Sequence, residues 1–308
     1  MPKKRTQLSS DYVTPIYMNR LQGRMLYVPS NNHKGREFLI VHDRLNSLED
    51  WWELVRVLNR FGAVTKTDLP GFGGMQSFYH IKEKPSINRL ADYLAAFVKL
   101  RYRRKQLTIV GVGFGFVIVT RMLQSYPDVA RKVNLVISIN GYAHKDDFVY
   151  GKSRKVVHLI GGWLGSQRIV AAPLKIVWLR RTLIRGYYNS MPRYRSLVSG
   201  MKDSAKYSYI NAKVENLQNT NLRTQLSLLS ETMRLDNCKK SVEIPLWHVA
   251  LKTDPYLNQS VIEQHLRIIY KNYHHTSVNL SPTKIAILDL KSAAQLLPTK
   301  LKRLLSRH

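Results

Sequence analysis

At 308 residues, 44% hydrophobic and 22% charged, the chain has room for one large domain with an insertion or for two of about 150 residues each, and its composition excludes a disordered protein. Its 49 Lys and Arg stand against 20 Asp and Glu, a net charge of +29 that attracts nucleic acid, phospholipid or acidic protein. The single cysteine, Cys238, excludes an internal disulfide and a cysteine zinc site, and fits a reducing compartment.

Residues 1–24 are polar and basic and read as a loose arm, with a short strand expected at Met25–Val28. No apolar region follows the basic start, so no secretory signal is expected, and no run of about 20 apolar residues predicts a membrane span. The expected location is cytoplasmic, membrane-peripheral at most. Arg36–His42 reads as a buried strand, and Leu48–Phe61 has apolar residues at helical spacing (Trp51, Leu54, Val55, Leu58). Ala63–Asp68 is a second strand, ending in the turn-forming loop Leu69–Gly74. Ile87–Tyr102 repeats the helical spacing.

The most informative stretch is next. Leu107–Val110 is a strand that runs into Gly111-Val112-Gly113-Phe114-Gly115, and Phe116–Gln124 then carries a helical pattern that stops at Tyr126-Pro127. Val133–Ile139 is a further strand. Strands alternating with helices imply an α/β fold with a mostly parallel sheet and right-handed crossovers.

From Phe148 to Lys202 there is no acidic residue, while Lys152, Arg154, Lys155, Arg168, Arg180 and Arg181 are among the cations and Trp163, Trp178, Tyr187, Tyr188 and Tyr194 are interleaved. Such a segment suits cap helices over a pocket, a basic amphipathic surface for anionic lipid, or a nucleic-acid contact. At the carboxyl end, leucines alternating with Lys300, Lys302, Arg303 and Arg307 predict an amphipathic helix.

Several motifs fall in the order used by the α/β-hydrolase family, in its cap-containing subgroup. Leu39-Ile40-Val41-His42-Asp43 resembles the family strand that ends in His-Gly, and Asp68-Leu69-Pro70-Gly71-Phe72-Gly73-Gly74 resembles its D-x-P-G-x-G loop. Gly111-Val112-Gly113-Phe114-Gly115 resembles its G-x-S-x-G nucleophile elbow, and Ile244–Asp254 resembles the strand that delivers its catalytic acid. The resemblance implies a parallel twisted sheet of about eight strands with helices on both faces. It divides the chain into a basic arm at 1–24, a first core part at 25–144, a helical cap at 145–240 and a second core part at 241–308.

The triad is where the chain departs from the family. Gly113 stands where the nucleophile serine belongs, and a side chain is what attack on a carbonyl requires. The base is expected in a loop after the last strand, here Lys284–Ser292, which contains no histidine; His274 and His275 are expected to precede that strand. Asp254 matches the acid, yet with no imidazole to orient it a turn or cap role is expected for it instead. Asp43 replaces the oxyanion-loop glycine; its carboxylate would repel a developing oxyanion if it pointed inward, or else it turns to solvent or pairs with Arg44 or another cation, and the Phe114 N–H could remain as a donor. The elbow geometry predicts positive φ at Gly113.

The resulting expectation is a hydrolase-like pseudoenzyme that binds an apolar or acyl small molecule, or an anionic membrane surface or nucleic acid through its basic cap. A pocket for that molecule would be lined by His42, Gly113, Phe114, Trp163 and Trp178. An active ester or acyl hydrolase with a rearranged site is the alternative. No cofactor and no metal are expected.

Overall fold

The computed structural model describes residues 9–30, 36–44, 46–103, 106–178, 180, 182–183, 186, 203–252, 254–280 and 289–306. Eight strands form one sheet: β1 (Val13–Met18), β2 (Leu21–Val28), β3 (Glu37–Val41), β4 (Ala63–Thr67), β5 (Leu107–Val112), β6 (Val133–Ile139), β7 (Leu246–Leu251) and β8 (Tyr273–Val278). Their spatial order is β1-β2-β4-β3-β5-β6-β7-β8. β1 and β2 are antiparallel to their neighbours, and every pair from β4 across to β8 is parallel.

The helices, in chain order, are α1 (Trp52–Asn59), α2 (Ile87–Arg101), α3 (Phe114–Ser125), α4 (Pro127–Ala130), α5 (Lys152–Gly165), α6 (Arg168–Trp178), α7 (Asp203–Gln218), α8 (Leu222–Thr232), α9 (Gln259–Ile269), α10 (Leu290–Gln295) and α11 (Thr299–Ser306). The helices α5 to α8 lie between β6 and β7, in the segment where a cap is expected. Among the described residues no helix is long and apolar enough to cross a membrane.

Strand period two builds a core on each face of the sheet. Leu39, Val41, Leu107 and Ile109 point to one side, against α2, α3 and α9; Phe38, Ile40, Val110 and Val112 point to the other, against α1, α10 and α11. With both faces covered, β3, β5 and β7 are buried at every position. β4 is buried throughout as well, although it includes a lysine. Lys66 resolves the conflict by donating from Nζ to the carbonyls of Ser47 (2.7 Å), Leu48 (3.3 Å) and Asp50. Burial lowers its pKa to about 8. This lysine ties the loop before α1 to the sheet.

Two expectations are corrected. Residues 13–24 are not a loose arm: β1 and β2 form a hairpin on the sheet edge, with Asn19 and Arg20 both at positive φ (51° and 62°) in a two-residue turn. An Asn-Arg pair lacks the glycine that usually marks such a turn. His274 and His275 do not precede the last strand; they belong to it, paired with Trp247 and His248 of β7. Of the expected base loop, residues 284–288 lie outside the described residues.

Candidate functional site

The turn between β5 and α3 brings three backbones together, and its glycines follow from that. A Cβ at Gly115 would stand 2.2 Å from the Val41 carbonyl oxygen, and one at Gly111 would stand 2.6 Å from the Phe116 Cα. Gly113 itself takes φ 50° and ψ −117°, a conformation costly for any residue with a Cβ. Its N–H donates to the Ile139 carbonyl at 3.0 Å, which fixes the turn to β6.

Asp43, at the end of β3, occupies the space over that glycine. Its Oδ1 accepts the Phe114 N–H at 2.9 Å and the Arg44 N–H at 2.8 Å. A Cβ on Gly113 would lie 2.7 Å from the Asp43 Cγ, so carboxylate and side chain cannot share the position. The Phe114 N–H is thereby engaged by a side chain of the chain itself. Arg44 folds across the outside, its guanidinium 4.9 Å from the Phe114 ring centroid and its Nη1 3.4 Å from the Thr232 hydroxyl of α8. Buried Tyr142 feels both charges, and its phenol is pushed well above the ordinary range by burial.

His42 is fully buried and donates from Nδ1 to the Asp43 carbonyl at 2.7 Å. Burial, then the nearby Lys66 charge, lowers its pKa to about 3. Its Nε2 faces Asp68 Oδ1 at 3.9 Å, and neither atom has a hydrogen-bond partner. Burial raises Asp68 to about 7, against the pull of the Arg24 guanidinium 3.2 Å from its other oxygen. This imidazole lies in the core beneath the turn, neutral and without access to solvent.

The other site residues are dispersed. Asp254 Oδ1 accepts the Tyr256 and Leu257 N–H groups (2.7 and 3.2 Å) and its Oδ2 accepts from Asn140 Nδ2 (2.6 Å), so both oxygens serve a turn. Trp163 is half exposed on α5, and the Trp178 side chain lies outside the described residues. His158 stacks on Tyr150 and feels the Arg44 charge, but burial, Arg154 and Arg44 all hold it below its ordinary pKa, and among the described residues no carboxylate pairs with it.

Other imidazole pairs fail for different reasons. His248 Nδ1 lies 3.0 Å from the Ser138 hydroxyl, but both residues are sealed within the sheet. The carboxylate–imidazole contact Asp147–His265 (2.5 Å) has Cys238 nearby, whose thiol burial pushes up to about 11, the reverse of an activated nucleophile. Among the described residues no three His, Cys, Asp or Glu side chains gather to hold a metal ion.

No protein-family model matches the sequence, and no curated protein does. The fold has clear counterparts among solved structures. A carboxylesterase from Nitrososphaera gargenis superposes with a TM-score of 0.67 at 12% identity, covering 96% of this chain and 99% of the other. A thermophilic esterase from Thermogutta terrifontis gives 0.63 at 11% identity, over 92% and 95% of the two chains. The enol-lactonase from Burkholderia xenovorans gives 0.63 at 11%, over 92% and 99%. The chain has the α/β-hydrolase fold.

The structure brings Asp43, Gly113 and Phe114 together at the turn between β5 and α3. Asp254 is hydrogen-bonded to Asn140, Tyr256 and Leu257 instead, and Trp163 is half exposed. Sequence reading offered Arg44 only as a pairing partner for Asp43 and missed Thr232; the two close the outside of the turn from elements 188 residues apart. The Asp43-Arg44 pair directly after a buried strand was the one available signal for Arg44. Nothing local to Thr232 marks it.

Proposed function

We propose that this α/β-hydrolase-fold protein is non-catalytic and acts by binding an anionic partner through its basic exterior. The observation that carries this reading is the Asp43 carboxylate seated over Gly113, where a nucleophile and an oxyanion would have to be. Acyl transfer at that position needs a side-chain nucleophile, a base to deprotonate it and free N–H donors for the negative oxygen. Gly113 supplies no nucleophile, and the carboxylate holds the Phe114 N–H and adds negative charge where more would develop. The solved counterparts named for esterase or lactonase activity share the scaffold; this chain fills its centre. An acyl ligand over Gly113 is disfavoured on the same grounds. The net charge of +29 and the acid-free stretch Phe148–Lys202 favour an anionic partner instead.

The test is reaction with a fluorophosphonate probe beside a panel of short and long acyl esters. The expected result is no labelling and no turnover by the native chain. The pair Asp43→Gly with Gly113→Ser should also remain unlabelled, because it restores the hydroxyl and frees the donor without supplying an imidazole. Labelling of the native chain, or turnover that survives purification, would overturn the reading.

A further inference from the structure

The α5 helix is seated on α8 by its glycines. A Cβ at Gly162 would stand 2.8 Å from the Leu226 carbonyl oxygen, and one at Gly165 would stand 2.7 Å from the Leu226 side chain. The opposite face of α5 therefore points outward, and it is apolar. Val156, Val157, Ile160, Trp163 and Leu164 recur at i, i+1, i+4, i+7 and i+8, an arc of about 120° at 3.6 residues per turn. All five are exposed, Val157 by 68%. Ile169, at the start of α6, is 88% exposed and extends the patch. Single exposed apolar residues are ordinary; a contiguous helical face is not.

The patch ends at a cationic cleft of about 430 Å³. Ser166, Gln167 and Arg168, at the turn from α5 to α6, form one wall; Tyr79, Lys82 and Lys84 form another, and Arg223 crosses between them. Arg223 is preset: its Nε donates to the Ser166 carbonyl at 3.0 Å and its guanidinium lies 3.8 Å from the Tyr79 ring centroid. Glu83 is the one acid of the lining, and Arg89 holds it at 3.4 Å. None of Lys82, Lys84, Arg168 and Arg223 forms an ion pair among the described residues.

We propose that this face docks on a bilayer containing anionic phospholipid, with the apolar arc of α5 and Ile169 entering the headgroup boundary and the cleft taking a lipid phosphate. The inference rests on the anion-binding reading above and gives it a place on the molecule. An apolar helical face beside unpaired cations is the arrangement of interfacial helices, whose affinity adds buried apolar area to attraction for anionic lipid. Nucleic acid would use the cations but leave Val157, Ile160 and Ile169 in water.

Sedimentation of the full chain with phosphatidylcholine vesicles, with and without phosphatidylglycerol, tests this. Binding is expected only with the anionic lipid. Because each cation near the surface contributes about fivefold in affinity, Lys82→Gln with Lys84→Gln should weaken it by about 25-fold. Ile160→Asp with Ile169→Asp should abolish the part of the binding that survives high salt. Unchanged melting temperatures of the variants would show that they are folded.

Equal binding to both vesicles, or variants that bind like the native chain, would overturn the proposal. So would binding of single-stranded RNA through Lys82 and Lys84 without vesicle binding. Mass spectrometry of the vesicle lipids separates the two readings: lipid cleavage would sink the non-catalytic function and leave the docking face standing, whereas absent binding with intact lipid would sink the docking face alone.

Discussion

The turn at Gly113 and the cleft at Arg223 treat charge in opposite ways. At the turn the Asp43 carboxylate is met by two backbone N–H groups, and Arg44 lies over a ring of the same chain. At the cleft four cations converge and the single acid is drawn aside by Arg89. A site whose polar groups are satisfied from within has little left to offer a ligand. Cations that form no ion pair among the described residues leave charge for a partner of opposite sign. The turn is therefore satisfied as structure, and the surface proposed above to recognise an anion lies at the cleft between the insert and residues 79–84.

That contrast can be broken most decisively at Gly113. Gly113→Ser combines backbone strain with overlap against Asp43 and should cost about 4 kcal/mol in urea unfolding. Adding Asp43→Gly should recover the share due to overlap while leaving the strain. A stable single variant would mean that the carboxylate is not fixed over the turn. Next in size is Lys66→Met, which leaves the carbonyls of Ser47, Leu48 and Asp50 without their donor and should cost about 3 kcal/mol. Arg44→Ala removes a partly exposed cation–π contact and should cost about 1 kcal/mol. In the cleft, Lys82→Gln with Lys84→Gln should change stability by no more than about 0.5 kcal/mol, since neither side chain forms an ion pair among the described residues and Lys84 loses only a Coulombic attraction to Glu231. A large loss there would make the cleft structural.

The smallest effect in the native chain is that of pH. Unfolded, His42 takes a proton below its ordinary 6.5, but folded only below about 3, so its contribution to stability is lost as pH falls through that window. Asp68 works in reverse. Its folded carboxyl keeps a proton up to about 7, against 3.8 unfolded, so its contribution is lost as pH rises through that range. The two slopes oppose each other where the windows overlap, and the native chain should be nearly flat there. Asp68→Asn should expose the histidine limb, with the melting temperature climbing from pH 3 to 6.5. A flat profile in that variant would show that His42 is not held neutral.

The parallel sheet was legible because buried strands such as Val133–Ile139 and helices such as Ile87–Arg101 carry strong periodicity of their own. The turn at Gly113 was legible because close backbone contact dictates glycine at three fixed spacings. The hairpin of β1 and β2 was not, since its alternation is interrupted by Pro15 and its turn is made by Asn19 and Arg20 without glycine. Within the site, the glycine at position 113 and the charge at Asp43 could be read directly. The direction in which Asp43 points could not, because it depends on the Phe114 N–H, 71 residues away. The cleft was invisible for a similar reason: Lys82, Arg168 and Arg223 are far apart in the chain and meet only when α5 settles on α8.

The fit between Asp43 and Gly113 also bears on the routes open to this chain over generations. A serine introduced alone collides with the carboxylate. A glycine introduced alone at position 43 takes the carboxylate from the buried Phe114 N–H, at about 1–3 kcal/mol. On the proposed non-catalytic reading, each single step loses stability before any activity exists to favour it, and the two together bring no imidazole. The pair acts as a ratchet: a lineage carrying it is held away from ester chemistry by a valley at least three substitutions wide, and selection is left to work on its surface.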